Sequence, residues 1–177
     1  MKVLVAYGSK RGGTEGLATM VADALDARGV ETDVRPARTA GPVEGYDAVI
    51  VGGALYAGRW HRDARRFVRR NRAQLARLPV WLFSSGPLDA SASRVVIEPV
   101  TQVRTAMDSV GARGHVTFGG RLRTDATGFP AAAMARAHAG DWRDPWHVAR
   151  WVAVVVEELE HTGVGMHEPS PSEFAQK

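Results

Sequence analysis

At 177 residues the chain is long enough for one domain with a full hydrophobic core, and no apolar run approaches the roughly 20 residues of a membrane span. It contains no cysteine, which excludes disulfides, thiol catalysis and iron–sulfur ligation and fits a cytoplasmic location. The formal charge of +4 is carried almost wholly by arginine, lysine occurring only at Lys2, Lys10 and Lys177, and such an excess favours anionic partners.

Taken in order, the chain alternates strand and helix. Residues 3–6 form a short apolar strand, so the chain opens directly on structure and no signal or transit segment is expected. A helix is predicted from Glu15, with Leu17, Ala18, Val21, Ala24, Leu25 and Arg28 at helical spacing and Gly29 as its stop. Residues 31–35 read as a short polar strand at or near a sheet edge, whereas 39–45 are too short and too rich in Pro and Gly for a full helix. Residues 47–53 are a buried strand ending in Gly52-Gly53. The next helix, 62–78, divides cleanly into a buried stripe (Ala64, Phe67, Val68, Asn71, Leu75, Leu78) and arginine-crowded faces. Residues 79–86 and 115–120 are two further strands. Between them Val96, Val100, Val103, Met107 and Val110 make a helical stripe, with Pro99 in its first turn. Residues 121–142 are expected to form a loop with a short helix near 130–138, under which Trp142 and Trp146 are expected to pack, a substrate platform being the alternative. Asp144-Pro145 then reads as an N-cap and first helical residue ahead of Val148, Trp151, Val152, Val155 and Leu159. The expected domain is 1–162, and the Gly-, Pro- and Ser-rich residues 163–177 are expected to be a disordered tail.

Five near-continuous apolar strands separated by helices imply a doubly wound α/β fold, a parallel sheet covered on both faces. Ligands of such sheets sit beyond the carboxyl ends of the strands, where the loops after strands one, three and four meet. The first of these loops, Ser9, Lys10, Arg11, Gly12, Gly13 and Thr14, is suited to a phosphate. Backbone N–H groups and a helix N-terminus converge there, and two glycines keep side chains out of the way. Gly13 is followed by Thr14-Glu15, which fails the Walker spacing, and no Gly-x-Gly-x-x-Gly fingerprint occurs. Ser84-Ser85-Gly86 lacks the Gly-x-Ser-x-Gly elbow of serine hydrolases, and the scattered histidines have no joint metal-ligand spacing, so no metal is expected.

Ser9-x-x-Gly12-x-Thr14, the segment 51–61 (Val-Gly-Gly-Ala-Leu-Tyr-Ala-Gly-Arg-Trp-His) and Phe118-Gly-Gly-Arg-Leu122 together resemble a flavodoxin-domain protein, and within that family the quinone-dependent protoporphyrinogen oxidase group. The resemblance runs from Met1 to about Leu159. It implies a five-stranded sheet in the order 2-1-3-4-5 binding FMN. The phosphate would be held by Ser9 to Thr14. Ala54, Leu55, Tyr56, Ala57, Gly58, Arg59 and Trp60 would flank the ring on one side, and Ser85, Gly86, Pro87, Leu88 and Asp89 would close the other. Residues 121–142 depart from the long basic, aromatic insertion of that group, being rich in Ala, Gly and Thr with Phe129 the one aromatic before Trp142. The departure bears on the substrate more than on the flavin.

Within the ring site either Tyr56 or Trp60 can stack on the isoalloxazine, the other plugging the loop. His61 opens the next helix, and a solvent-facing position is expected for it. Arg59 is nearby and Asp89 is the one acid of the three loops, a balance that favours two-electron chemistry. The expected activity is therefore an FMN-dependent oxidoreductase working between an organic substrate and a quinone or other redox partner. An electron-transfer flavodoxin and a flavin-free binding protein of the same fold are the alternatives. Arg62, Arg65, Arg66, Arg69, Arg70 and Arg72 suit either a solvated face or docking to an anionic membrane surface, which would make the protein peripheral to the inner face of the membrane. Nucleic acid is not expected, for want of interleaved aromatics.

Overall fold

The computed structural model describes residues 1–10, 12–125 and 139–163. Five long strands, β1 (Lys2–Gly8), β2 (Glu31–Pro36), β3 (Ala48–Tyr56), β5 (Val80–Ser85) and β6 (Gly114–Phe118), form one parallel sheet in the order β2-β1-β3-β5-β6. That is the predicted order, with β2 at the predicted edge. A short strand β4 (Arg59–Trp60) folds back antiparallel on the end of β3, and β7 (Arg121–Leu122) pairs with β8 (Gly140–Asp141) in a separate ribbon.

Strand alternation sorts the apolar residues into two cores. Val3, Val5, Ile50, Trp81 and Phe83 face α1 (Gly13–Asp26) and the final helix, α5 (Pro145–His161), where Leu17, Val21, Leu25, Val148, Val152 and Leu159 meet them. Leu4, Ala6, Val49, Val51 and Leu82 face the opposite layer, made by α2 (Arg62–Arg70), α3 (Arg72–Leu75) and α4 (Thr101–Val110), which contributes Phe67, Val68, Leu75, Val103 and Val110. α5 begins as expected: Asp144 accepts a hydrogen bond from the Trp146 N–H at 2.9 Å, and Pro145 occupies the first turn. Among the described residues no helix is long and apolar enough to cross a membrane.

Several helix boundaries differ from expectation. The helix read as continuous over 62–78 breaks at Asn71 (φ −100°, ψ 14°), whose buried amide donates to the Phe67 carbonyl at 3.2 Å. An Asn that bonds back to the carbonyl four residues earlier competes with the regular ladder and bends it. α1 stops at Asp26, so Arg28 is exposed, and its guanidinium donates to the Ala24 carbonyl at 2.9 Å. Val96 is 92% exposed because α4 starts only after Val100; Pro99 precedes the first turn instead of lying in it. Trp146 projects into solvent at 81% exposure, since it lies on the outer side of the first turn of α5. The helix expected near 130–138 lies outside the described residues, as do residues 164–177 of the expected tail.

The Phe83 ring lies across Gly52, where an added Cβ would run into it. Gly52→Ala forces one of the two to move, and overpacking of this kind costs about 1–3 kcal/mol. Chemical denaturation should show that loss.

His115 is largely buried beside the Ser84 hydroxyl (Nε2 to Oγ, 2.9 Å), and burial pushes its pKa from the ordinary 6.5 down to about 4. The folded state therefore stays neutral there while the unfolded chain takes up a proton near pH 6.5. The stability tied to His115 is complete above 6.5 and is lost as the pH falls towards 4, on the order of 2 kcal/mol by about pH 4.5. His115→Gln should flatten that part of the stability–pH curve; an unchanged slope would sink the assignment.

Candidate functional site

The site is built where β1, β3 and β5 end. β1 leaves the sheet at Gly8, and Gly12 adopts a left-handed conformation (φ 75°) as the residue preceding α1. The Gly12 N–H donates to Ser9 Oγ at 3.0 Å, which closes the loop on itself. Among the described residues no side chain caps α1, so its first-turn N–H groups and its dipole are open towards the loop. Thr14 is 1% exposed, yet its hydroxyl has no partner among the described residues. A buried hydroxyl without a partner costs free energy unless a ligand completes it. The one acid of this turn, Glu15, is held by the Tyr7 hydroxyl at 2.9 Å; burial, reinforced by that carboxylate, raises Tyr7 to about 12 and keeps it a donor. Arg11 lies outside the described residues.

The second wall was expected as a loop but is a hairpin. β3 continues to Tyr56, so Ala54, Leu55 and Tyr56 are strand, and Ala57 (φ 48°) and Gly58 (φ 71°) turn the chain directly into β4. Two successive positive φ values are the pattern of a two-residue type I′ turn. The hairpin separates the two aromatics. Trp60 is 1% exposed, lies against Gly53, and its indole N–H donates to the Phe83 carbonyl at 3.4 Å. It is the plug. Tyr56 is 37% exposed on the cleft side, with its ring centroid 6.2 Å from that of His61.

His61 is buried, contrary to the expected solvent-facing position. The space it occupies exists because Gly8 has no side chain: a Cβ there would lie 2.7 Å from His61 Nδ1. Nδ1 accepts the Asp63 N–H at 3.2 Å as the N-cap of α2. Burial lowers the pKa of the ring, against the opposing pull of Asp63, so at neutral pH it is uncharged and carries its proton on Nε2.

The third wall, residues 85–89, is tied to the end of β6. The Gly86 N–H donates to the Phe118 carbonyl at 2.8 Å and the Gly120 N–H to the Pro87 carbonyl at 2.9 Å. Asp89 caps the following turn through the Ser91 N–H at 2.8 Å. Gly120, Arg121 and Leu122 close this side, with the Arg121 backbone beside Gly13. The β7–β8 ribbon that carries them is fixed by Arg143, which pairs with Asp141 (Nε to Oδ1, 2.7 Å) and lies over Gly16 of α1.

Ser9, Lys10, Gly13, Thr14, residues 54–60 and residues 85–89 all line one cleft of about 1000 Å3. Gly12 shapes the loop without lining the cleft. The cleft also takes in His61, Arg62, Arg65 and residues 120–122, which lay outside the sequence-derived set. The signal for the last group was the pair Gly119-Gly120 at a strand end; for the arginines there was none beyond their charge. Lys10, Arg59, Arg62, Arg65 and Arg121 make the lining strongly positive. Among the described residues no cluster of His, Asp and Glu is arranged to hold a metal ion.

A family model described as Flavodoxin domain matches residues 4–137. A curated relative, protoporphyrinogen IX dehydrogenase (quinone) of Escherichia coli strain K12, is 29% identical over 86 residues, 48% of either chain, so the chain spans about half the length of the curated relatives it matches. Among solved structures, oxidised flavodoxin 1 from Bacillus cereus superposes with a TM-score of 0.57 at 14% identity, covering 90% of this chain and 99% of its own. A mutant of flavodoxin from Pseudomonas aeruginosa gives a TM-score of 0.53 at 20% identity over 88% of this chain and 99% of that one.

Proposed function

This chain belongs to the flavodoxin-domain family, and on that premise we propose that it is an FMN-dependent oxidoreductase passing two electrons between an organic substrate and a quinone. The observation that carries the reading is the buried Thr14 hydroxyl, without a partner among the described residues, beside the start of α1, which no described side chain caps. A phosphate monoester supplies the acceptor that Thr14 lacks and the negative charge that the helix end favours. The residues present fit the group. Ser9 can donate its own proton outward while its oxygen accepts from Gly12. Bound FMN would supply the capacity to take and release an electron pair.

The remaining roles belong to the protein. Tyr56 offers a ring face on one side of the cleft and residues 85–89 close the other. His61, neutral and with its proton on Nε2, is a hydrogen-bond donor in the lining that carries no charge of its own. Arg59 is one of the cations of the lining, and positive charge there would stabilise negative charge added to a bound flavin, which favours transfer of electrons in pairs over the one-electron traffic of a carrier. The quinone as acceptor is suggested by the curated relative of that name. Protoporphyrinogen is a poorer match, because residues 121–142 carry Arg121, Arg123 and Arg136 but are otherwise rich in Ala, Gly and Thr, with Phe129 the one aromatic before Trp142, unlike the long basic, aromatic insertion of the oxidase group.

Thr14→Ala should weaken FMN by roughly 10- to 150-fold, the equivalent of about 1.5–3 kcal/mol for a hydrogen bond to a charged group. Calorimetric titration measures this directly, and an unchanged affinity would remove the phosphate assignment.

Arg59→Glu replaces a positive charge of the cleft lining with a negative one, which would oppose the charge that reduction adds to a bound flavin. The two-electron potential should fall by roughly 10–40 mV, a modest change because Arg59 is exposed and screened. Spectroelectrochemistry of the parent and the variant reads the shift. A soluble naphthoquinone should reoxidise the reduced parent rapidly; a failure to do so would favour the carrier.

A further inference from the structure

A second concavity of about 640 Å3 lies between α2 and α4. One side is formed by Arg62, Arg65, Arg66, Arg69 and Arg72, the other by Thr101, Thr105 and Ser109, one helical turn apart on α4. Arg62 and Arg65 also line the cleft described above, so the groove borders it. The positive charge is almost uncompensated. Among the described residues only Arg62 of this set approaches an acid, Asp63 at 3.6 Å, and the buried Nε of Arg65 has no partner.

We propose that this groove receives an extended acidic segment, rich in Asp and Glu, of a partner protein, which is thereby delivered to the mouth of the cleft. The inference rests on the oxidoreductase reading for the partner's purpose, not for the docking itself. Three features select the occupant. Four of the arginines are spread along α2, nine residues or about 13 Å, and Arg72 follows at the start of α3, so a lone anion would engage one turn and leave the rest unmatched. An extended peptide at about 3.3 Å per residue places carboxylates along that length, and its backbone can meet the hydroxyls of α4. The apolar side of α2 (Ala64, Phe67, Val68) is buried in the core, which leaves no apolar face to insert into a bilayer, and among the described residues the groove lining holds no aromatic to stack a base.

The experiment is fluorescence anisotropy of a labelled peptide of about eight alternating Glu and Gly residues with the full chain, at low and at physiological salt. Binding should weaken as screening shortens from roughly 30 Å to 8 Å. Arg66→Glu/Arg69→Glu, two residues outside the cleft, should weaken it by at least about tenfold, and Arg38→Glu/Arg77→Glu, the same change of net charge elsewhere, by less than about twofold. Equal losses in the two double variants would overturn the site as mere overall charge. Tighter binding of phosphatidylserine vesicles or of a single-stranded oligonucleotide, lost in the first variant, would overturn it in favour of those occupants. FMN absorbance is followed in parallel. Peptide binding by a chain that takes up no FMN would uphold the groove and sink the redox reading, whereas FMN uptake without peptide binding would do the reverse.

Discussion

The candidate site depends on the seating of one indole against one glycine. Trp60 can be buried because Gly53 presents only backbone to it, and its N–H is satisfied by the Phe83 carbonyl on the neighbouring strand. That contact pins the returning arm of the hairpin to the sheet. What surrounds it takes its position from it: His61 is delivered to the gap beside Gly8 and α2 starts beneath the cleft, while Tyr56, at the end of the outgoing strand β3, is turned outward. A side chain at Gly53 or a smaller residue at position 60 would disturb all three at once. The phosphate-type loop, by contrast, is set by local rules, a left-handed glycine and an uncapped helix start.

How much of this was legible in the sequence follows the range of the interactions involved. Strands β1, β3 and β5 came from apolar runs whose burial is nearly complete, the order of the sheet from the family resemblance, and Asp144-Pro145 marked its helix start because capping chemistry is local. Ser9, Gly12 and Thr14 were legible for the same reason. The length of β3 was not, since the residues after Gly53 look like loop until their partner strand, two residues long, is found. Nor was the burial of His61, which is decided by a glycine 53 positions away. Asn71 was placed correctly on the buried stripe, but nothing in spacing says that a buried amide will bond backwards and break the helix. The β7–β8 ribbon brings Arg121 level with Asp141, a pairing across residues with no apolar pattern to announce it.

The distribution of charge follows a similar division. The acids near the site are engaged with neighbours: Glu15 with Tyr7, Asp63 with the start of α2, Asp141 with Arg143. The arginines of the lining have fewer such ties among the described residues, so the field at the mouth of the cleft is set mainly by cations. Arg70, on the same helix but outside the lining, is tied to the fold, its guanidinium donating to the carbonyls of Ala37 and Ala40, where it secures the connection between β2 and β3. An even reading of all the arginines as one adhesive surface would overlook that distinction.

The outer strand β2 has a different consequence. Its free side presents unpaired backbone groups, the usual template on which a second molecule adds a strand and aggregation begins. Here the register is short, Glu31, Asp33 and Arg35 alternate along it, and Pro36 closes it without an N–H. Asp33 is tied to Lys2, Arg35 and the Tyr46 hydroxyl, so its charge is fixed in place beside that rim. A neighbouring copy would have to bury this network to extend the sheet. The feature that made β2 look weak as a strand is thus what guards the uncovered rim of the sheet against edge-to-edge growth.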